Sequence, residues 1–285
     1  MAAGAVIQII CNPASGRYKA NDIAALEAAF ARRGAETLVT HSSPCHPFVQ
    51  HPRATMLCVA GGDGTLRHVV AALPDMCLLP IAVYPLGTVN LVAKELGSAH
   101  SADDVAARML SGAPARKAYP GLINETPFMV CASAGPDSAA IAALSETLKR
   151  RIGRLAYLVA LLTLMRRWPR PQIRLQSQDK QIDCEAFYVA KGLYYAGRWS
   201  FAPAARMTQP LFHVVALKST RRRDFLAFIA AVMANRIDQN RNLIRFSCDT
   251  LTISGDAAWP VQAEGDIVAA LPVKMAVRGE PVLLF

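Results

Sequence analysis

Apolar and polar positions follow two different rhythms along this chain. In its N-terminal part, short wholly apolar runs alternate with stretches of helical period. Residues 5–13, AVIQIICNP, form a β-branched run ending in Asn-Pro, as expected of a buried strand meeting a turn. Residues 22–33 follow, with Ile23, Leu26, Ala29 and Phe30 on one helical face, Asn21 or Asp22 as the expected cap and Gly34 as the terminator. AETLVT then reads as a second strand, and a Pro/His-rich connection spans 41–53. The next elements are a strand TMLCVA, a loop GGDG, a helix over 65–73, a strand LLPIAVY, a loop PLGTVN and a helix over 88–96 ending at Gly97. A helix over 101–112, capped by Ser101 with Asp104 three residues on, closes this part. Strand and helix alternating in this way predict an α/β domain with a parallel sheet.

Beyond about residue 115 the rhythm changes to strand after strand. TPFMVCAS, QIRLQS, CEAFYVAKG, LFHVVALK, RFSCDTLTIS, VKMAVRG and PVLLF are separated by turns rich in Gly, Pro, Asp and Ser. This predicts a mostly antiparallel β domain, with helices over 137–149, 152–167 and 223–235 inserted. The expected boundaries are 1–118 and 119–276, with a tail at about 277–285 that packs back onto the first domain.

Composition narrows the possibilities. A chain of 285 residues, 53% hydrophobic and 18% charged, has ample core for two modest domains and excludes disorder. A net charge of +10 favours an anionic partner, without choosing among nucleotide, nucleic acid and membrane. Nucleic acid has only this charge behind it, since no aromatic-lined basic motif is present, so we expect none to be bound. Seven cysteines without a C-x-x-C pair read as reduced core residues, which points to the cytoplasm. The N-terminus lacks a basic region before its apolar stretch, arguing against a signal peptide. The apolar run at 155–165 has 11 residues, against roughly 20 needed to span a bilayer.

The candidate chemistry lies in the glycines. Gly16, the group Gly61, Gly62 and Gly64, and Gly87 each follow a strand of the predicted parallel sheet. Ligands of such sheets sit beyond the carboxyl ends of the strands, where bare N–H groups and helix N-termini hold anions. A lone Gly-Gly-Asp-Gly is as readily a tight turn. Three glycine loops after successive strands favour a phosphate chain, and Asp63 among phosphates calls for a divalent cation between them. The expected ligands are therefore a nucleotide and Mg²⁺. Neither the G-x-x-x-x-G-K-[ST] loop nor a G-x-G-x-x-G opening a helix is present, which disfavours the P-loop and dinucleotide folds.

The motifs NPASG (Asn12–Gly16), GGDGT (Gly61–Thr65) and PLGTVN (Pro85–Asn90), in this order and spacing, resemble the diacylglycerol kinase catalytic domain family. That family includes bacterial lipid kinases and the sphingosine and ceramide kinases. CASAGPDSAA, KRRIGRLAYL, YYAGRWSFAPAA and PVQAEGD extend the resemblance over nearly the whole chain. It implies an NAD kinase/diacylglycerol kinase-like α/β domain followed by a β-sandwich, with the active site in the cleft between them and ATP's γ-phosphoryl group passing to a lipid hydroxyl. Carried over, Gly61, Gly62, Gly64 and Thr65 hold the phosphates and Asp63 serves catalysis near Mg²⁺. Asn12, Ser15 and Gly16 line the phosphate end, Thr88 and Asn90 face the nucleoside, and Gly87 belongs to the same nucleotide site.

The family's Asp-Gly-Glu base stands here as Glu264-Gly265-Asp266, so Glu264 is either the base or a charged turn. Asp137 either joins the nucleotide and metal network or begins a helix. Thr208-Gln209-Pro210 stands where the family carries Asp-Asp-Gly, so the structural Mg²⁺ of some members is not expected. The implied partner is a lipid such as diacylglycerol or a sphingoid base at a membrane surface, in lipid and phospholipid metabolism at the inner face of the membrane; a homodimer is also compatible. The stretches 149–168 and 221–233, apolar with basic flanks, are either membrane-contacting or core-packed helices. Two alternatives stay open: an NAD kinase-like enzyme, which shares the Gly-Gly-Asp-Gly loop, and a homologue that binds nucleotide or lipid without turnover.

Overall fold

The computed structural model describes residues 4–43, 46–74, 78–98, 101–144, 159, 163–164, 168–240 and 242–285. Two units are present, one of Met1–Tyr119 with Glu280–Phe285 and one of Pro120–Gly279.

The first unit is a six-stranded sheet with helices between its strands. Strands β1 (Val6–Cys11), β2 (Glu36–His41), β3 (Met56–Gly61), β4 (Ile81–Pro85), β5 (Arg116–Ala118) and the C-terminal β18 (Val282–Leu284) lie in the order β2-β1-β3-β4-β18-β5. The pairs among β1 to β4 are parallel, and β18 runs parallel to β4 and antiparallel to β5. PVLLF, which follows the strands of the β domain in sequence and belongs to the tail expected to pack back, completes the first sheet. Central strands β1 and β4 are buried at every position, which is why they read as unbroken apolar runs, while edge strand β2 is partly exposed.

The polar exception is Gln8, wholly buried in β1. Its amide donates to Thr40 Oγ1 (3.2 Å) and to the Val49 carbonyl (2.9 Å), and accepts from His51 N–H (2.8 Å). It therefore ties Val49 and His51 of the Pro/His-rich connection to β1.

Helices α1 (Ala20–Ala31), α2 (Asp63–Ala72), α3 (Leu91–Leu96) and α4 (Ala102–Leu110) connect these strands. Ile23, Leu26, Ala29 and Phe30 are the buried face of α1, as their spacing predicts. Its N-cap is Lys19 rather than Asn21 or Asp22; the helix starts earlier and Asp22 sits in its first turn, where a carboxylate complements the dipole. Ser101 caps α4 by accepting from Asp104 N–H at 3.1 Å, and Gly97 ends α3 in the left-handed region.

The second unit is a sandwich of two antiparallel sheets. Its strands are β6 (Gly121–Ile123), β7 (Thr126–Phe128), β8 (Cys131–Ala134), β9 (Ile173–Ser177), β10 (Lys180–Cys184), β11 (Ala186–Ala190), β12 (Phe212–Leu217), β13 (Leu243–Cys248), β14 (Thr250–Gly255), β15 (Pro260–Ala263), β16 (Asp266–Ala270) and β17 (Val273–Val277). One sheet has the order β10-β9-β14-β17-β6-β7 and the other β13-β12-β11-β8-β15-β16. Leu175, Ile253 and Met275 of the first meet Phe187, Val214 and Val261 of the second in one apolar core.

Two stretches read as single strands, TPFMVCAS and RFSCDTLTIS, each divide into two strands of opposite sheets. The chain changes sheet at Met129-Val130, inside an unbroken apolar run, and at Asp249, where the alternation slips by one residue between Cys248 and Leu251.

Helix α5 (Pro136–Ala142) covers the start of the 137–149 expectation and ends at its C-cap Ala143; residues 145–149, with most of the 152–167 helix, lie outside the described residues. Helix α6 (Arg222–Met233) buries Phe225, Phe228 and Val232 and sets Phe228 against Tyr188 of β11, with ring centroids 4.8 Å apart. Among the described residues no helix is long and apolar enough to cross a membrane. Of the cysteines, Cys11, Cys58, Cys131 and Cys184 are buried free thiols, and burial pushes Cys58 and Cys184 up to about 12.

Candidate functional site

In the first unit the three glycine loops leave the carboxyl ends of β1, β3 and β4 and meet. Arg17 N–H donates to the Leu86 carbonyl and Leu86 N–H to the Gly61 carbonyl, at 2.9 and 3.0 Å, so each loop is bonded to the next. A Cβ on Gly87 would lie 2.5 Å from Gly62 Cα, one on Gly62 3.1 Å from Gly87 Cα, and one on Gly16 2.9 Å from Thr88 Oγ1. Gly62 has ordinary extended backbone, φ −98° and ψ −175°. Its glycine answers to space, because two main chains pass where no side chain fits.

The other residues expected at the site from the first unit gather around these loops. Asn12 accepts from Ala14 N–H (2.9 Å) through its Oδ1, and its amide reaches Thr65 Oγ1 at 3.5 Å. Ser15 N–H closes the turn on the Asn12 carbonyl at 2.9 Å. Thr65 is buried, and a Cβ on Gly61 would fall 2.5 Å from its hydroxyl. Asn90, buried at a φ of 53°, accepts from Gly87 N–H (2.9 Å) and donates back to the Gly87 carbonyl (2.8 Å), closing the third loop on itself.

Asp63 has a specific place. Its Oδ2 accepts from Leu91 N–H at 2.8 Å and its Oδ1 from Val92 N–H at 3.0 Å. Those are the first two amides of α3, which a helix leaves without internal partners. Asp63 therefore caps α3 from the neighbouring loop, while α2, which begins at Asp63 and Gly64, has no side-chain cap of its own.

One basic residue that the sequence reading passed over joins the cluster: Arg17 donates its Nε–H to the Gly87 carbonyl at 2.9 Å. Arg17 directly follows the first glycine loop, a signal that was present.

Glu264 and Asp137 lie in the second unit. Glu264, at a φ of 56° in the turn between β15 and β16, accepts from Met129 N–H (2.6 Å) and Val130 N–H (2.8 Å) through one oxygen, Oε1. These amides belong to the corner where the chain changes sheet. From the same turn a chain of hydrogen bonds runs inward. Gly265 N–H donates to Gln262 Oε1 (3.0 Å), Gln262 Nε2 to Ser133 Oγ (2.5 Å), and Ser133 Oγ–H to Asp137 Oδ2 (2.5 Å), which also accepts from Tyr195 O–H (3.1 Å).

Burial pushes the Asp137 carboxyl above the usual carboxylate range, against the lowering effect of these donors. Asp137 thus both begins α5, following Pro136, and anchors a buried network. Sequence reasoning missed Ser133, Gln262 and Tyr195, although each lies within a stretch that carries the resemblance. At Thr208-Gln209-Pro210, the carbonyls of Gln209 and Leu211 accept from the ammonium of Lys191, a wholly buried lysine. Among the described residues no group of three His, Cys, Asp or Glu is placed to hold a metal ion.

An α/β unit with glycine loops at its strand ends, followed by an antiparallel sandwich, defines the fold class shared by diacylglycerol kinases and NAD kinases. A crystal structure of a diacylglycerol kinase from Bacillus anthracis superposes with a TM-score of 0.76 at 16% identity, covering 99% of this chain and 98% of that one. An NAD kinase from Archaeoglobus fulgidus in complex with ATP gives 0.53 at 13% identity, covering 98% and 93%. A diacylglycerol kinase of Bacillus subtilis strain 168 is 24% identical over 277 residues, 93% of this chain and 91% of its own length. Residues 6–118 match the model of the diacylglycerol kinase catalytic domain, and residues 130–285 that of the YegS C-terminal NAD kinase beta sandwich-like domain. The chain belongs to this diacylglycerol kinase family of lipid kinases.

Proposed function

We propose that this protein transfers the γ-phosphoryl group of ATP to the hydroxyl of a lipid of the diacylglycerol or sphingoid-base type. The observation that carries this reading is the contact of Gly62 with Gly87, which clears side chains from the meeting point of three loops at the strand ends. That shape suits a phosphate chain, which main-chain amides and a helix N-terminus bind without side chains in the way. Family membership, and the ATP held by the NAD kinase of the same fold, support ATP as the donor.

In this reading the loop amides of Gly61, Gly62, Gly64 and Thr65 receive phosphate oxygens. Asn12, Ser15 and Gly16 line the same end, and Gly87, Thr88 and Asn90 fix the third loop toward the nucleoside. Arg17, bonded to the third loop, adds positive charge of the kind that a polyphosphate requires. Asp63 works through structure, as the strut joining the second loop to α3. With its oxygens each taking a backbone amide, Asp63 would stand beside a Mg²⁺ that the phosphates of a bound nucleotide would chiefly hold, and that ion would neutralise phosphate charge. Bound nucleotide supplies the transferable phosphoryl group; the chain's own part is positioning and charge neutralisation.

Glu264 is the proposed base, receiving the proton of the attacking lipid hydroxyl. Its two amide donors fix the carboxylate's orientation, and the Gln262–Ser133–Asp137 chain braces the turn that presents it. Asp137 is therefore a positioning residue.

The test is transfer of label from γ-labelled ATP to diacylglycerol and sphingoid bases, extracted into organic solvent. We expect a labelled lipid, and a Glu264→Gln protein with about 10²–10⁴-fold lower kcat, unchanged KM for ATP and an unchanged melting temperature. Glutamine can still accept the Met129 and Val130 amides, so full turnover in this variant removes Glu264 from the role of base. Label appearing in NAD instead of lipid overturns the choice of acceptor.

A further inference from the structure

Helix α6 is apolar on both sides. Its inward face, Phe225, Phe228 and Val232, is buried against the sandwich. Leu226, Ile229, Ala230 and Met233 recur at the i, i+3, i+4, i+7 spacing of one helical face, and this is a second stripe. Leu226 is 51% exposed and Met233 55%, with Ala230 exposed and Ile229 half-buried. From Phe225 to Ala234 the helix carries no charged residue, although a surface helix ordinarily sets charge opposite its buried stripe.

Charge is instead concentrated at the ends. Arg221, Arg222 and Arg223 precede the stripe and Arg236 follows it, all exposed. Arg222 and Arg223 stand four and three residues before Leu226, so they share its face. Arg223 is 79% exposed and its ion pair with Asp224 is a long 3.5 Å. Trp168 packs edge-on against Phe225 at the same end, its indole N–H bonded to the Thr220 carbonyl.

We infer that the outward face of α6 is a docking surface for an anionic lipid bilayer, with Leu226, Ile229, Ala230 and Met233 entering the interface and Arg222 and Arg223 meeting the headgroups. Apolar side chains in water beside a run of arginines are what an interfacial helix presents, and a membrane with negative headgroups satisfies both. At 12 residues, about 18 Å long by the helical rise, α6 lies along the surface and does not cross it. The inference takes its purpose from the lipid kinase reading, since a substrate that stays in the bilayer has to be met there, but the helix itself carries it.

The experiment is co-sedimentation, without ATP, of the full chain with vesicles of equimolar phosphatidylglycerol and phosphatidylcholine and with vesicles of phosphatidylcholine alone. We expect wild-type protein to prefer the anionic vesicles and the double variant Leu226→Glu, Met233→Glu to bind them about tenfold or more weakly. The variant Arg222→Gln, Arg223→Gln should lose most of the preference for anionic lipid. Both should keep the wild-type melting temperature and turnover on a short-chain, water-dispersed diacylglycerol. Equal sedimentation of wild type and the Leu226/Met233 variant, or no binding of wild type to anionic vesicles, overturns the inference. So does a wild-type dimer, seen by light scattering, that this variant abolishes, because the face would then bind a second copy. Failure to phosphorylate any lipid would sink the kinase reading alone and leave the vesicle result standing.

Discussion

Asp63 in the first unit and Glu264 in the second use the same device: each carboxylate accepts two consecutive backbone amides from a distant segment. In the first unit the amides go to separate oxygens and close the end of a helix. In the second they go to one oxygen and close a corner between sheets. The surroundings differ more. Around Asp63 the site is built of main chain, with glycines placed where side chains cannot fit. Around Glu264 it is built of side chains, a buried relay through Gln262, Ser133 and Asp137. A main-chain site tolerates almost no added atoms, whereas a side-chain relay tolerates isosteric exchange and responds to protons.

The largest expected effect that separates the two is Gly87→Ala. A methyl group 2.5 Å from Gly62 Cα forces two main chains apart, at a cost of about 1–3 kcal/mol in stability and with loss of nucleotide affinity. Gly62→Ala, with 3.1 Å available, should do the same more weakly. Melting curves with and without ATP would show the ranking, and equal tolerance of both changes would contradict a space-limited cradle.

Asp63→Asn comes next. One amide of α3 would face an NH₂ group, costing about 1–3 kcal/mol in unfolding free energy, with little change in the Mg²⁺ concentration for half-maximal turnover. An unaltered melting temperature with a large shift in Mg²⁺ requirement would restore Asp63 as a metal ligand.

The smallest effect concerns pH. Because burial raises the Asp137 pKa in the folded state, the folded protein binds more protons than the unfolded chain once pH exceeds about 3.9, the unfolded value. Stability contributed by this group should therefore fall as pH rises from there to the folded pKa and stay level above it. Asp137→Asn should flatten that segment of the unfolding profile, and an identical slope in the variant would mean that burial does not raise the carboxyl's pKa.

The first unit was the more legible because its parallel strands are buried on both faces and its loops are marked by glycine; the order of elements from β1 to α4 and the meeting of three loops follow from those signals. What stayed hidden was the partner of each polar group. Nothing local in Gly-Gly-Asp-Gly says that Asp63 reaches amides 28 residues on. In the second unit, the corner at Met129-Val130 has no break in hydrophobicity, so two strands read as one. Glu264 stood out only through resemblance, and its tie to that corner spans 135 residues. Contacts of that range depend on the closed sandwich, which no window along the chain contains.

The central claim is that the loops at Gly16, Gly62 and Gly87 form one polyphosphate cradle. Calorimetric titration of magnesium-ATP into wild-type protein and into Gly87→Ala tests it most directly. Saturable one-to-one binding by the wild type, weakened at least about tenfold in the variant, is the predicted result; no binding by the wild type, or equal binding by both proteins, would contradict it.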